Sequence, residues 1–266
     1  MDQPHKLFVR ITDLIKTEFL KARFTMNPLK NPISKRTSER HARPTLLSDF
    51  ILGSQDGLVN VLGILLGLTA ASATIRVFFV AAFAALAAES ISMGAVAYTS
   101  TTARRQVYLK ERNREKQEMQ DVPEVEKEEV RQIFRSWGYE GQDVEDLADR
   151  IAKNPKAMLE LMMGYELDLA PVDRSEALRS FFIVGASTVM GSFVPLIPYV
   201  FVGKNIFEGT VLSVVISGAA LFFIGTYEAK TTVGSLWRSG LQMAAIGLTA
   251  GLAGFLVGHF IGALPA

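Results

Sequence analysis

The sequence predicts an all-α integral membrane protein, with five transmembrane helices and a separate domain of three to four short helices. Three observations predict it. Five long runs are almost free of charge. The acidic residues are crowded elsewhere, with 16 of the 27 lying between Lys110 and Ala170. Lys and Arg cluster at alternate ends of the apolar runs, as they do beside membrane spans.

A bilayer core of about 30 Å takes roughly 20 helical residues. The first run, from Phe50 to Ala73, has Asp56 as its only charge. The second, Val77 to Thr101, has only Glu89. Ser180–Gly203 and Gly209–Tyr227 have none, and the run from Ser239 onward carries only His259. Small residues recur in these runs (Gly53, Gly57, Gly63, Gly67; Gly247, Gly251, Gly254, Gly258). They suit close helix packing within one subunit or between two. Pro195 and Pro198 are expected to bend or end the third span.

Orientation follows from the basic residues. Lys35, Arg36, Arg40 and Arg43 precede the first span, and Arg104, Arg105 and Lys110 follow the second. Arg174 and Arg179 precede the third, and Lys230 and Arg238 separate the last two. The opposite side offers only Arg76 and Lys204. The N-terminus and the charged middle are therefore expected in the cytosol. The organisation reads as an N-terminal cytosolic segment (1–45), two spans (46–103), a cytosolic helical domain (104–174) and three spans (175–266). Leu7–Phe24 is amphipathic, which fits a membrane-surface helix or a short helix packed on the protein itself.

Composition excludes several functions. A net charge of +1 gives no basis for nucleic-acid binding. With no cysteine there are no disulfides, thiolate metal sites or thiol nucleophiles. The three histidines, His5, His41 and His259, all lie outside the charged middle, and His259 reads as structural, near the far-side interface.

In the middle domain YLKERNREKQEM continues the second span as a charged helix. Pro123 opens a new helix that Gly138 and Gly141 close, and Gln142–Lys153 and KAMLELMMGYEL follow. Glu111, Glu115 and Glu118 share one helix face, Glu126 and Glu129 share another, and Met162 and Met163 precede Glu166 by about one turn. Converging carboxylates with two thioethers would suit Fe²⁺ or Mn²⁺ over Ca²⁺. From spacing alone, however, a solvated charged face is the preferred reading of the glutamates, and core packing that of the methionines.

Asp56 and Glu89 weigh differently. An Asp at mid-span costs about 2.5–3.5 kcal/mol on insertion scales and is usually kept for an ion pathway or a partner. The spans contain no basic residue to pair with either acid. Glu89 and Met93, at i and i+4, share a face. A protonated carboxyl hydrogen-bonded between helices is the alternative.

SDFILGSQDGLVNVLGILLGL, ESISMGAVAY, REKQEMQDVPEVEKEEVRQIF, LMMGYEL and VPLIPY, in this order and spacing, resemble the vacuolar iron transporter family from about Leu46 onward. The resemblance implies a homodimer with five spans per subunit and a path at the subunit interface. It implies export of cytosolic Fe²⁺, and often Mn²⁺, in exchange for protons, with Co²⁺ or Zn²⁺ as further candidate cargo and no prosthetic group. Asp56 and Met93 are similar to path residues of the family. Glu115, Glu118, Glu126, Glu129, Met162, Met163 and Glu166 are similar to the ligands of its cytosolic metal-binding domain. The resemblance thus reverses the preference for a merely solvated face.

One position departs from the family pattern. Plant members carry a glutamate where this chain has Ala85, and here the acid is Glu89, one turn nearer Met93, as the candidate proton-exchanging group. The host membrane would be vacuolar in a eukaryote and the plasma membrane in a bacterium. An enzyme is not expected: no P-loop or Ser–His–Asp set is visible, and carboxylate di-iron sites use Glu-x-x-His pairs that the middle domain lacks. The remaining rival is a membrane-anchored iron storage or sensing protein that does not transport.

Overall fold

A computed structural model describes residues 44–202, 205–232 and 234–263. The amphipathic stretch Leu7–Phe24, the basic residues from Lys35 to Arg43, and Lys204 lie outside the described residues.

Every apolar run becomes a helix. The long helices are α1 (Pro44–Ala70), α2 (Ile75–Asp121), α6 (Arg174–Val202), α7 (Ile206–Thr231) and α8 (Leu236–Gly262). Each of these five is long and apolar enough to cross a membrane. Between α2 and α6 lie α3 (Pro123–Ser136), α4 (Gln142–Ala152), α5 (Pro155–Leu161) and a π-helical turn, Met162–Glu166. Among the described residues the fold is wholly helical.

α2 is one uninterrupted helix of 47 residues, about 70 Å long at 1.5 Å per residue. Its first half is apolar and its second half charged, with no proline to stop it. Pro123 ends this run by occupying the first turn of α3, where a missing N–H costs nothing. α3 closes at Gly138, whose φ of +90° suits the left-handed residue that follows a helix. Asn154 caps α5, its side-chain oxygen accepting from the Ala157 N–H at 3.2 Å, and Pro155 follows at the first helical position. The short helices bury one apolar cluster of Val130, Phe134, Val144, Ala148, Met158 and Met162. Ion pairs join α3 to α4, Arg131 to Glu145 at 2.8 Å and Lys127 to Asp149.

In the apolar bundle α1 is central. Val61 and Leu65 pack with Phe78 and Ala82 of α2 and with Leu196 and Tyr199 of α6. Leu58 packs with Leu221 of α7 and Met243 of α8. Two glycine contacts set the helix spacing. A Cβ on Gly57 would come within 2.7 Å of Ser192 Oγ, and one on Gly67 within 2.9 Å of the Gly254 carbonyl oxygen. The α1 backbone therefore lies directly against α6 and α8, which is what small residues permit where no hydrophobic effect draws helices together.

Pro195 and Pro198 do not end α6, which continues to Val202. Their surroundings supply polar fastening. Ser213 of α7 donates to the Pro195 carbonyl at 2.8 Å, Tyr199 Oη lies 2.9 Å from Thr210 Oγ1, and Thr210 Oγ1 lies 2.8 Å from Thr69 Oγ1. Three helices are thus tied at the end away from the short helices.

Candidate functional site

Two groups of acids are assembled at different heights on the same rod, α2. The lower group lies between α1 and α2. Asp56 and Asn60 stand one turn apart on α1 and border an open groove of about 700 Å³ between α1 and α8. Gly63, Gly67, Gly254 and Gly258 continue its lining among apolar side chains such as Ile64, Leu68, Val257 and Ile261. Glu89, half-buried on α2, reaches across to α1. Its Oε1 accepts from Asn60 Nδ2 at 2.5 Å, its Oε2 is buried and accepts from no N–H, and the Asp56 carboxyl is close enough to Glu89 to share a proton with it. The Asn60–Glu89 contact also marks the antiparallel register of the two helices. Moving four residues back on α1 and four forward on α2 brings Asp56 and Met93 to about one level. Met93 is half-buried there.

The upper group gathers where the charged half of α2 meets α3 and the π-helical turn. Glu115 and Glu118 of α2 and Glu126 of α3 each present an oxygen, and these oxygens lie within 4.8 Å of one another. Glu115 is 2% and Glu126 3% exposed, and each has one carboxylate oxygen without a hydrogen-bond partner. Buried carboxylates are ordinarily paired or coordinated, since an unpaired buried charge is among the costliest features a fold can keep. Buried carboxylates that converge this closely, each with an oxygen left unpartnered, are therefore apt ligands for a cation.

Glu129 and Glu166 complete the electrostatic neighbourhood. Burial raises the Glu126 carboxyl from 4.5 to about 7, and the charges of Glu115, Glu129, Glu166 and Glu118 reinforce it. Glu166 sits at the open edge. Partial burial, then repulsion from Glu129, Glu115 and Glu118, brings it to about 7 as well, against the pull of Arg114. The Glu115 carboxyl is pushed up by burial, then by Glu118 and Glu129. Met163 is buried beside Glu166 in sequence, while Met162 packs in the apolar cluster of the short helices. The cluster thus joins glutamates that are far apart in sequence, with Glu115, Glu118 and Glu126 the closest set.

Two pairings were missed by the sequence argument. Asn60 is the partner of Glu89, and its signal was an amide one turn from Asp56 in an otherwise apolar run. Arg114 pairs with Glu118 at 3.1 Å and with Glu111 at 3.3 Å, a resident positive charge beside the cluster. Its signal was the i, i+4 spacing to Glu118.

These values fix a pH dependence. In the metal-free fold Glu126 and Glu166 keep their protons up to about pH 7, whereas in an unfolded chain they would lose them near 4.5. Stability from these protons is full below about 4.5 and is lost as pH rises through 7. A divalent cation must displace the same protons. Its affinity should therefore rise between pH 6 and 8, by about tenfold for each of the two carboxyls displaced, and level off above. Calorimetric titration with Mn²⁺ at stepped pH measures this, and a flat profile would contradict it.

Among the described residues an all-helical fold, five helices able to span a bilayer and acids at two levels define a polytopic membrane protein. Residues 47–259 match the profile of the VIT family. The chain belongs to that family. It is 32% identical over 240 residues to vacuolar iron transporter 1 of Arabidopsis thaliana, covering 90% of this chain and 96% of the relative. It is 34% identical over 210 residues to vacuolar iron transporter 1 of Eucalyptus grandis, covering 79% and 84%. A vacuolar iron transporter of Plasmodium falciparum matches at 31% over 220 residues, covering 80% and 81%.

Proposed function

We infer that this chain transports divalent cations, Fe²⁺ foremost and Mn²⁺ with it, out of the cytosol in exchange for protons. The observation that carries the reading is the pair of acids, Asp56 and Glu89, held within electrostatic reach beside an open groove in helices of membrane-spanning length. Acids are expensive in a span and are retained where charge must pass. The names of the relatives point the same way.

The upper glutamates act as the collecting site. Hydrated cations are drawn to Glu115, Glu118, Glu126, Glu129 and Glu166, with Met163 and Met162 as the soft donors nearby. From there they pass to Asp56, where a carboxylate and the Met93 thioether replace part of the hydration shell. Glu89 takes up protons as the cation leaves, so the interior exchanges charge for charge and is never left with bare acids. The basic residues near the helix ends favour a cytosolic location for the upper cluster. The groove between α1 and α8 is the surface from which a homodimer would build a shared path. The membrane is the vacuolar one in a eukaryote and the plasma membrane in a bacterium.

Uptake into liposomes tests this. Purified protein should load Fe²⁺ and Mn²⁺ faster when the lumen is acidic, with Co²⁺ and Zn²⁺ as comparisons. Tight cation binding with no uptake in any gradient would leave a storage or sensing protein instead.

A further inference from the structure

We propose that Asn60 is a positioning residue that orients Glu89, so that the Glu89 oxygen it leaves free and the Asp56 carboxylate hold one divalent cation between α1 and α2. The proposal deepens the transport reading and rests on it for the identity of the cargo.

Glu89 spans the gap between two helices by a flexible side chain, and left to itself would sample several rotamers. The Asn60 amide fixes one of its oxygens, accepted at 2.5 Å. The other, Oε2, is buried and accepts no hydrogen bond from an N–H, and the Asp56 carboxyl lies close enough for the two acids to share a proton that a cation would replace. A buried acceptor left bare is costly unless something occupies it part of the time. Asp56, one turn before Asn60 and facing the same groove, is within electrostatic reach of Glu89. The arrangement therefore leaves one oxygen committed to protein and one available, next to a second carboxylate.

The chemistry of an amide suits this role. Its N–H satisfies a carboxylate lone pair without bringing a charge. A lysine at this position would neutralise Glu89 and repel a cation, and an aspartate would add a third negative group with no donor to hold the other two. Groups that orient a metal ligand in this way commonly contribute about 10- to 100-fold to affinity. Asn60 acts only on an acid at its own level. Ala85 lies one turn back from Glu89 on the same face, about 6 Å along the axis, so an acid placed there is beyond its reach.

The full chain in liposomes gives the first test. N60A should raise KM for Fe²⁺ about tenfold, more than it lowers kcat. In a chain carrying A85E and E89A, the same N60A change should leave KM where that pair sets it. If Asn60 merely joins α1 to α2, its loss will lower the melting temperature in both backgrounds and leave KM unmoved, and the proposal fails. A second measurement needs no flux. In the full chain with E115Q, E118Q and E126Q, Mn²⁺ binding followed by electron paramagnetic resonance should weaken about tenfold on adding N60A. Equal affinity would overturn the proposal. Should the unaltered chain carry no cation at all, the transport reading falls, and the Mn²⁺ titration then decides the role of Asn60 by itself.

Discussion

Asp56→Ala should reduce Fe²⁺ uptake into proteoliposomes by about 100-fold while leaving cation binding at the upper glutamates intact. The magnitude follows from what the acid costs. Holding an Asp at mid-span takes about 2.5–3.5 kcal/mol, and a cation path must recover at least that much from its attraction to the carboxylate. At about 1.4 kcal/mol per factor of ten, losing that attraction lowers occupancy of the site by roughly two orders of magnitude. The same logic gives the opposite sign for stability. Removing a carboxyl that the fold keeps at an expense should leave the melting temperature in detergent unchanged or raise it, the usual relation between function and stability at such positions. Uptake at a wild-type rate in D56A vesicles would remove Asp56 from the path, whatever the fate of the other acids.

Exchanging Glu115 and Glu126 together for glutamine should abolish tight binding at the upper cluster and slow uptake when the cation is scarce, with less effect when it is saturating. These two are the buried members of the set, each with a bare oxygen, so glutamine removes the charge while nearly conserving volume. Two thermal readouts should follow. Without cation, E115Q/E126Q should melt higher than the unaltered chain at pH 8, because buried like charges are gone. On adding cation, the unaltered chain should gain stability by mass action, about 2.7 kcal/mol when the ligand is at 100 times its Kd, and the variant should gain far less. An undiminished cation-induced shift in the variant would remove Glu115 and Glu126 from the binding site.

Much of the architecture was legible because bilayer physics writes itself plainly into sequence. Each apolar run marks a helix, and the charged continuation of α2 was readable from the lack of any breaker between Thr101 and Asp121. Pro123 and Gly138 sit at the helix ends where their backbone chemistry puts them. The prolines of α6 were less readable. A missing N–H foretells a lost bond but does not reveal that Ser213, from the next helix, donates to the Pro195 carbonyl. Convergence of the glutamates was the hardest step. Spacing places Glu115 with Glu118, and Glu126 with Glu129, on separate helices, and says nothing of whether those faces meet. What brings them together is the apolar cluster of Val130 and Phe134 on α3 with α4 and Met162, against which Met119 of α2 also packs. Met162 illustrates the ambiguity, being both beside the acids in sequence and part of that apolar cluster. The Asn60–Glu89 pair was invisible for a related reason: its two members are 29 residues apart, and only the antiparallel register of α1 and α2 aligns them.

Because α2 is unbroken over 47 residues, Glu89 and Glu115 belong to one stiff lever. Some 26 residues, about 39 Å of helix axis, separate them. A tilt of only about 5° at the bilayer end would swing the glutamate end through about 3 Å, comparable to the difference between a closed and an open coordination shell. Cation loading that draws α3 and the π-helical turn toward α2 would exert torque on the span that carries Glu89 and Met93, with mechanical advantage. The upper glutamates and the acids between α1 and α2 would then move together, so that a cation held by the first group would change the geometry of the second.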